Sequence, residues 1–201
     1  LNRTRSKAYR ISTLGLLTAL IIVQSFVPMI GYISFGGVSI TTIHLTVIIG
    51  AVMLGTSGGA ELGLIWGITS LIVAFTRPAD PLSLLLFHNP IIAIVPRLMT
   101  GVVAGLIFNQ IRPGMRTGTV GTIKMIFAGI AGALTNTLLV IAFTWLFYAS
   151  KAATLVGNGA SSANLGWIMI AMLGVNAIAE AIAAGIVTPL LGQALVRFRR
   201  D

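Results

Sequence analysis

Few residues in this chain can do chemistry, and most of them sit inside apolar runs. Arg97 follows Pro96 near the middle of FHNPIIAIVPRLMTGVVAGLIF, Phe87 to Phe108. An arginine at a helix centre in lipid costs roughly 2.5–3.5 kcal/mol, so it faces a cavity, a partner or a ligand. Its guanidinium is permanently charged and offers a planar fork to a carboxylate or phosphate. Pro96 removes the helical hydrogen bond to the Ile92 carbonyl and bends the helix. A kink, a freed acceptor and a cation within one turn suit a binding site. The plainer reading is a structural ion pair, or snorkelling to the interface.

The possible companions of Arg97 are also few. In NAIAE, Asn176 and Glu180 are four apart and share a helix face. They read either as a polar network below a ligand or as glue between helices. Asn136, in GALTNTLLV, could read a hydroxyl or amide, or bridge two helices. Trp66 could wall a pocket or simply pack. His44 could cap its own helix or contact a solute. His88 and Asn89 lie where the fourth apolar run meets water, and Asn before Pro is a good helix start. Glu61 reads as a cap or partner contact, because it falls near the start of its helix, where an acid favours the positive end. With only two histidines, no cysteine and no paired acids within a turn, no metal centre or catalytic dyad is expected. P-loop, G-x-S-x-G and H-E-x-x-H motifs do not occur, so the chain is not expected to be an enzyme.

These residues need a membrane to position them. The 201 residues are 56% hydrophobic and only 8% charged, against about 25% charged in a soluble domain. Mean hydropathy is +1.00. We expect an all-α membrane protein forming a single six-helix domain over residues 1–201. The expected spans are about 11–30, 41–55, 58–76, 90–109, 123–149 and 166–196. The second is short for a hydrocarbon core of about 30 Å, and the last two are long enough to tilt or project. No cleavable N-terminal segment stands out, since the basic start leads into a full-length apolar run. If Asn89-Pro90 opens the fourth span, Arg97 lies ~10 Å deep.

Charge orients the set. Ten of the 13 Lys and Arg fall on one side of six crossings: Arg3, Arg5, Lys7, Arg10, Arg112, Arg116, Lys124, Arg197, Arg199 and Arg200. The other side keeps Arg77 and Lys151. The positive-inside rule puts both termini in the cytoplasm, so the net charge of +9 reflects topology and anionic lipid, not nucleic acid. The outside then carries GYISFGGVSITT, TRPADPLS and GNGASSAN, loops that could close over a ligand or merely connect. Two small-residue faces complete the pattern. Gly15 and Ala19 form one on the first span; Gly101 and Gly105 form another on the fourth, read as packing within the bundle.

The chain resembles an S component, the substrate-capturing membrane subunit of an energy-coupling factor (ECF) vitamin transporter. TTIHLTVIIGAVMLGTSGGAELGLIWGITSLI looks like the family's second and third helices, and PRLMTGVVAGLIF like its fourth. TIHLTVIIGAVMLG and VPRLMTG look closest to the pantothenate-type members. Gly15 stands where the family usually has the first Ala of Ala-x-x-x-Ala. The resemblance implies a transmembrane scaffold subunit and two cytoplasmic ATPases as partners, with ATP and Mg confined to those ATPases and no cofactor in this chain. It implies docking at Gly15 and Ala19, and a loaded subunit that topples to carry its pocket inward. It places the site at the outer ends of the later helices, under the first outer loop. Pantothenate, a monocarboxylate with two hydroxyls and an amide, matches a cationic site. Arg97 would clamp its carboxylate while Asn136, Asn176 and Trp66 read the rest. Thiamin is positive, hydroxymethylpyrimidine and pyridoxine are neutral, and folate needs a wide aromatic slot. A membrane assembly protein and a stand-alone carrier remain the competing classes.

Overall fold

The structure is a computed structural model that describes residues 2–27, 30–35, 38–77, 81–110, 118–156, 159 and 161–198. Arg112, Arg116, Arg199 and Arg200, and parts of the three outer loops, lie outside the described residues. The elements in chain order are α1 (Asn2–Phe26), β1 (Tyr32–Phe35), β2 (Val38–Thr41), α2 (Ile43–Thr76), α3 (Pro81–Phe87), α4 (Pro90–Asn109), α5 (Thr119–Val156) and α6 (Leu165–Phe198). Five of these helices are long and apolar enough to cross a membrane, and the chain is a multi-pass membrane protein.

α2 is a hairpin of two helical arms. At Gly55 the backbone takes φ 87° and ψ −177°, a conformation that a residue with a Cβ rarely adopts. The chain reverses there. A Cβ built on Gly59 would lie 2.6 Å from that of Ala51, and Gly50 meets Leu62, contacts impossible along one straight helix. The tight turn expected at Thr56-Ser57 is therefore present, one residue early, because glycine alone is comfortable at its corner.

The second arm of α2 packs on α4 with backbone against backbone. Gly59, Gly63 and Gly67 recur every four residues and so share one face. A Cβ on Gly59 would come 2.5 Å from the Gly101 carbonyl oxygen, and one on Gly67 would come 2.7 Å from Ile94 Cα. Gly105 in turn abuts Thr56. The Gly101/Gly105 face thus packs within the bundle, as expected. In lipid such close approach matters more than apolar burial, since acyl chains are as apolar as leucine.

Long helical segments that follow one another along the chain run antiparallel, and α1 runs parallel to the second arm of α2, since Arg10 meets Ser57 and Ser25 meets Thr69. α1 lies along both arms of α2 through Leu17, Ile21, Ile43, Val47, Leu62 and Trp66. α5 and α6 pair through Gly129 against Ala184 at mid-height and Gln193 bonded to Gly118 and Thr122 near one end. Arg10, the Gly55 corner, Asn109, Gly118 and the end of α6 consequently gather at one end of the bundle. There Arg10 pairs with Glu61 and also donates to Ser57 Oγ at 3.3 Å. Glu61 is thus tied to α1 within the chain.

The helices differ from expectation at their ends. α1 stops at Phe26, four residues early, since Pro28 in the sequence cannot continue it and disfavours helix in the residue before. α5 runs on to Val156 after a break at Tyr148 (φ −134°, ψ 22°). Two short elements were not anticipated: α3, within the loop after α2, and an antiparallel hairpin pairing Tyr32 with Thr41 and Phe35 with Val38.

Candidate functional site

The end of the bundle opposite the termini begins with Asn89. Its Oδ1 accepts from the Ile91 N–H at 2.9 Å, capping α4, and its Nδ2 donates to Tyr148 Oη at 3.2 Å. Pro90 follows at the first helical position, where its missing N–H costs nothing. His88 is exposed; its ring stacks on Phe75 and its Nε2 meets the Ala74 carbonyl at 2.9 Å. Both residues hold α4 to its neighbours and stand above the buried polar groups.

Two turns further in, Arg97 is 6% exposed. Pro96 withholds the donor that the Ile92 carbonyl would otherwise have, and Arg97 Nη1 donates to that same oxygen at 2.8 Å. The kink thus aims its own cation. The guanidinium carbon lies 5.4 Å from the Trp66 ring centre and 4.6 Å from that of Phe87, the last residue of α3. Both contacts favour a cation over an aromatic face. Trp66 thus lies with its ring beside Arg97 and in the core with α1, on the arm that the glycine face presses against α4.

A second cluster forms where the hairpin meets α6. Glu180 is 7% exposed, and its Oε1 accepts from the Thr41 N–H at 2.7 Å. His44 is three residues on from Thr41, at the start of α2, and is 1% exposed.

Asn136 stands at the same height. Gly132 meets Ile48, and one turn outward on each helix are Asn136 and His44. The antiparallel register that seats Gly129 on Ala184 brings Asn136 level with Asn176 and Glu180. Asn176 is half-buried on α6. Among the described residues, Trp66 Nε1, Ser70 Oγ and Asn136 Oδ1 are buried with no hydrogen-bond partner. An orphaned buried polar atom costs about 1–3 kcal/mol, so several at one level mark a place built for a polar occupant. Together the groups supply a cation with aromatic walls and neutral donors and acceptors, while the Glu180 carboxylate is taken up by the Thr41 N–H.

Of the eight residues singled out in the sequence, six share this level: Arg97, Trp66, Glu180, His44, Asn136 and Asn176. Three features escaped sequence reading. Phe87 over Arg97 had no signal, because α3 has no long apolar period. The Thr41–Glu180 bond joins residues 139 apart. The face of Gly59, Gly63 and Gly67 was legible as a four-residue repeat in GTSGGAELGLIWG.

Comparison with known proteins gives a consistent picture. The family model described as "ECF transporter, substrate-specific component" matches residues 9–192. A pantothenate transporter, PanT, of Leuconostoc mesenteroides is 33% identical over 184 residues, covering 89% of this chain and 87% of that protein. A pantothenic acid transporter, PanT, of Lactococcus lactis is 29% identical over 211 residues, covering 98% of each. The fold is similar to that of ThiT from Listeria monocytogenes, with a TM-score of 0.60 at 16% identity over 95% of this chain and 98% of that one. The chain belongs to the substrate-specific components of ECF transporters.

Proposed function

We propose that this chain captures pantothenate at the outer face of the cell membrane and delivers it inward as the specificity subunit of an ECF transporter. The observation that carries the reading is Arg97, buried under Phe87, set against Trp66 and level with orphaned polar groups. The carboxylate of the vitamin binds the guanidinium as a charge-assisted pair. Its hydroxyls and amide meet Asn136, Asn176 and His44. The names of the two PanT relatives favour this solute over other vitamins.

The topology we infer has six crossings, with the two arms of α2 counted separately and both termini cytoplasmic. The reversal at Gly55, the gathering of both termini at one end and the bias of basic residues toward that end support it. A scaffold subunit docks on α1, where Gly15 has nothing within 4 Å of a built Cβ and Ala19 is exposed. Two ATPase subunits hydrolyse ATP with Mg on the cytoplasmic side. Docking lets the loaded subunit topple and present its pocket inward.

Calorimetry of the purified chain against a panel of pantothenate, thiamin, pyridoxine, hydroxymethylpyrimidine and folate tests the reading. Saturable binding of pantothenate alone is expected. Preference for another member of the panel removes the solute assignment, and no binding at micromolar levels favours an assembly role.

A further inference from the structure

The hairpin is fastened on two sides, and the two fastenings differ in kind. Towards α1, the Thr42 N–H donates to the Gly31 carbonyl at 2.9 Å and Thr42 Oγ1 to the Ile30 carbonyl at 2.6 Å. Gln24 adds a bond to Thr42 at 3.4 Å and accepts one from Thr46 at 2.9 Å. That side is a mesh of neutral bonds between residues close along the chain. Towards α6, the polar fastening gathers on Glu180, whose Oε1 accepts from the Thr41 N–H at 2.7 Å. It crosses the level at which the orphaned polar atoms gather. Thr41 ends β2, and its N–H points away from the strand partner, so the hairpin loses nothing of its own ladder by this bond.

We propose that Glu180 is a latch: its carboxylate holds the base of the hairpin onto α6 and so sets how readily the vitamin leaves the outer pocket. This rests on the reading of that pocket as the vitamin site. Glu180 is here a positioning residue that acts on the hairpin through Thr41 and makes no contact with the vitamin. What the latch needs is an acceptor oxygen at Oε1, and glutamine supplies one. A direct charge role toward ligand or toward Arg97 would need the carboxylate itself. The conservative substitution therefore separates the two.

The test uses the full-length chain in nanodiscs, with Glu180→Ala, Glu180→Gln and Thr41→Pro. Amide exchange at Thr41, measured without vitamin, is expected to rise about tenfold or more in Glu180→Ala and to stay within about threefold in Glu180→Gln. Release of radiolabelled pantothenate is expected to quicken about tenfold in Glu180→Ala and in Thr41→Pro, which removes the donor but keeps the carboxylate. Glu180→Gln is expected to release it at close to the native rate. Entry should quicken as well, so Kd moves less than the release rate; partial unfolding would instead lower the number of sites. Unchanged exchange at Thr41 in Glu180→Ala overturns the latch, as does a Glu180→Gln variant that behaves like Glu180→Ala. If Glu180→Ala does not fold, a native release rate in Thr41→Pro overturns it equally. Should the wild type bind no pantothenate, the solute reading fails while the exchange data still judge the latch.

Discussion

Arg97 offers the sharpest perturbation. Its guanidinium donates to the Ile92 carbonyl at the kink and, in the proposed function, also clamps an anionic solute, and substitutions divide these two roles. Arg97→Ala removes both. Losing one side of a buried charge pair typically costs about 2–4 kcal/mol of binding, which raises Kd roughly 30- to 700-fold. It also leaves the Ile92 carbonyl without a donor, costing about 1–3 kcal/mol of stability. Arg97→Lys keeps the charge but loses the planar fork, so we expect roughly a tenfold loss of affinity. The assay is titration calorimetry with pantothenate and with its alcohol analogue, pantothenol, which lacks the carboxylate. Wild type should prefer the acid strongly. Arg97→Ala should bind acid and alcohol alike, because the group that tells them apart is gone. A folded Arg97→Ala protein that binds pantothenate within threefold of wild type, or that still prefers the acid, would refute the carboxylate clamp.

Three further outcomes follow from the packing and the topology. Gly63→Ala drives a Cβ to 2.8 Å from Leu98 Cα and should cost about 1–3 kcal/mol, read as a lower Tm in detergent. Gly166→Ala, with nothing within 4 Å, should leave Tm unchanged or slightly raised. Gly15→Leu or Ala19→Leu should leave vitamin affinity untouched yet abolish co-purification with the scaffold; wild-type yield of the complex would contradict a docking face there. The chain has no cysteine, so single cysteines at Ser57 and at Ser162 report sidedness directly. An impermeant thiol reagent on intact cells should label Ser162→Cys and not Ser57→Cys, and the reverse pattern would invert the topology.

Much of this arrangement could be read from residue types, because lipid makes polar groups conspicuous. Arg97, Glu180, Asn136 and Asn176 stand out in apolar runs, and the fold brings them to one level. α4 was legible to the residue, since Asn89-Pro90 is a strong start and its cap is present. Pro96 announced a freed carbonyl; that Arg97 itself would fill it depends on a rotamer that no spacing encodes. His88 shows the opposite limit. Its type suggested a ligand contact, but stacking on Phe75 depends on where the end of α2 lies, which is a tertiary fact. The hairpin was missed because GYISFGGVSITT is rich in glycine and serine and its pairing is local backbone bonding. α5 was extended past its expected end because a helix that projects into water need not stop where hydropathy does.

The glycine face between the second arm of α2 and α4 has one more bearing. Where two backbones touch, neither can slide past the other without a collision, so this pair is built to keep its register. Trp66 and Arg97 are both mounted on it, so in the proposed function the grip on an acid group would keep its shape as the subunit reorients. In that reading, the opening that admits or discharges cargo would part along the opposite seam, between the hairpin and α6.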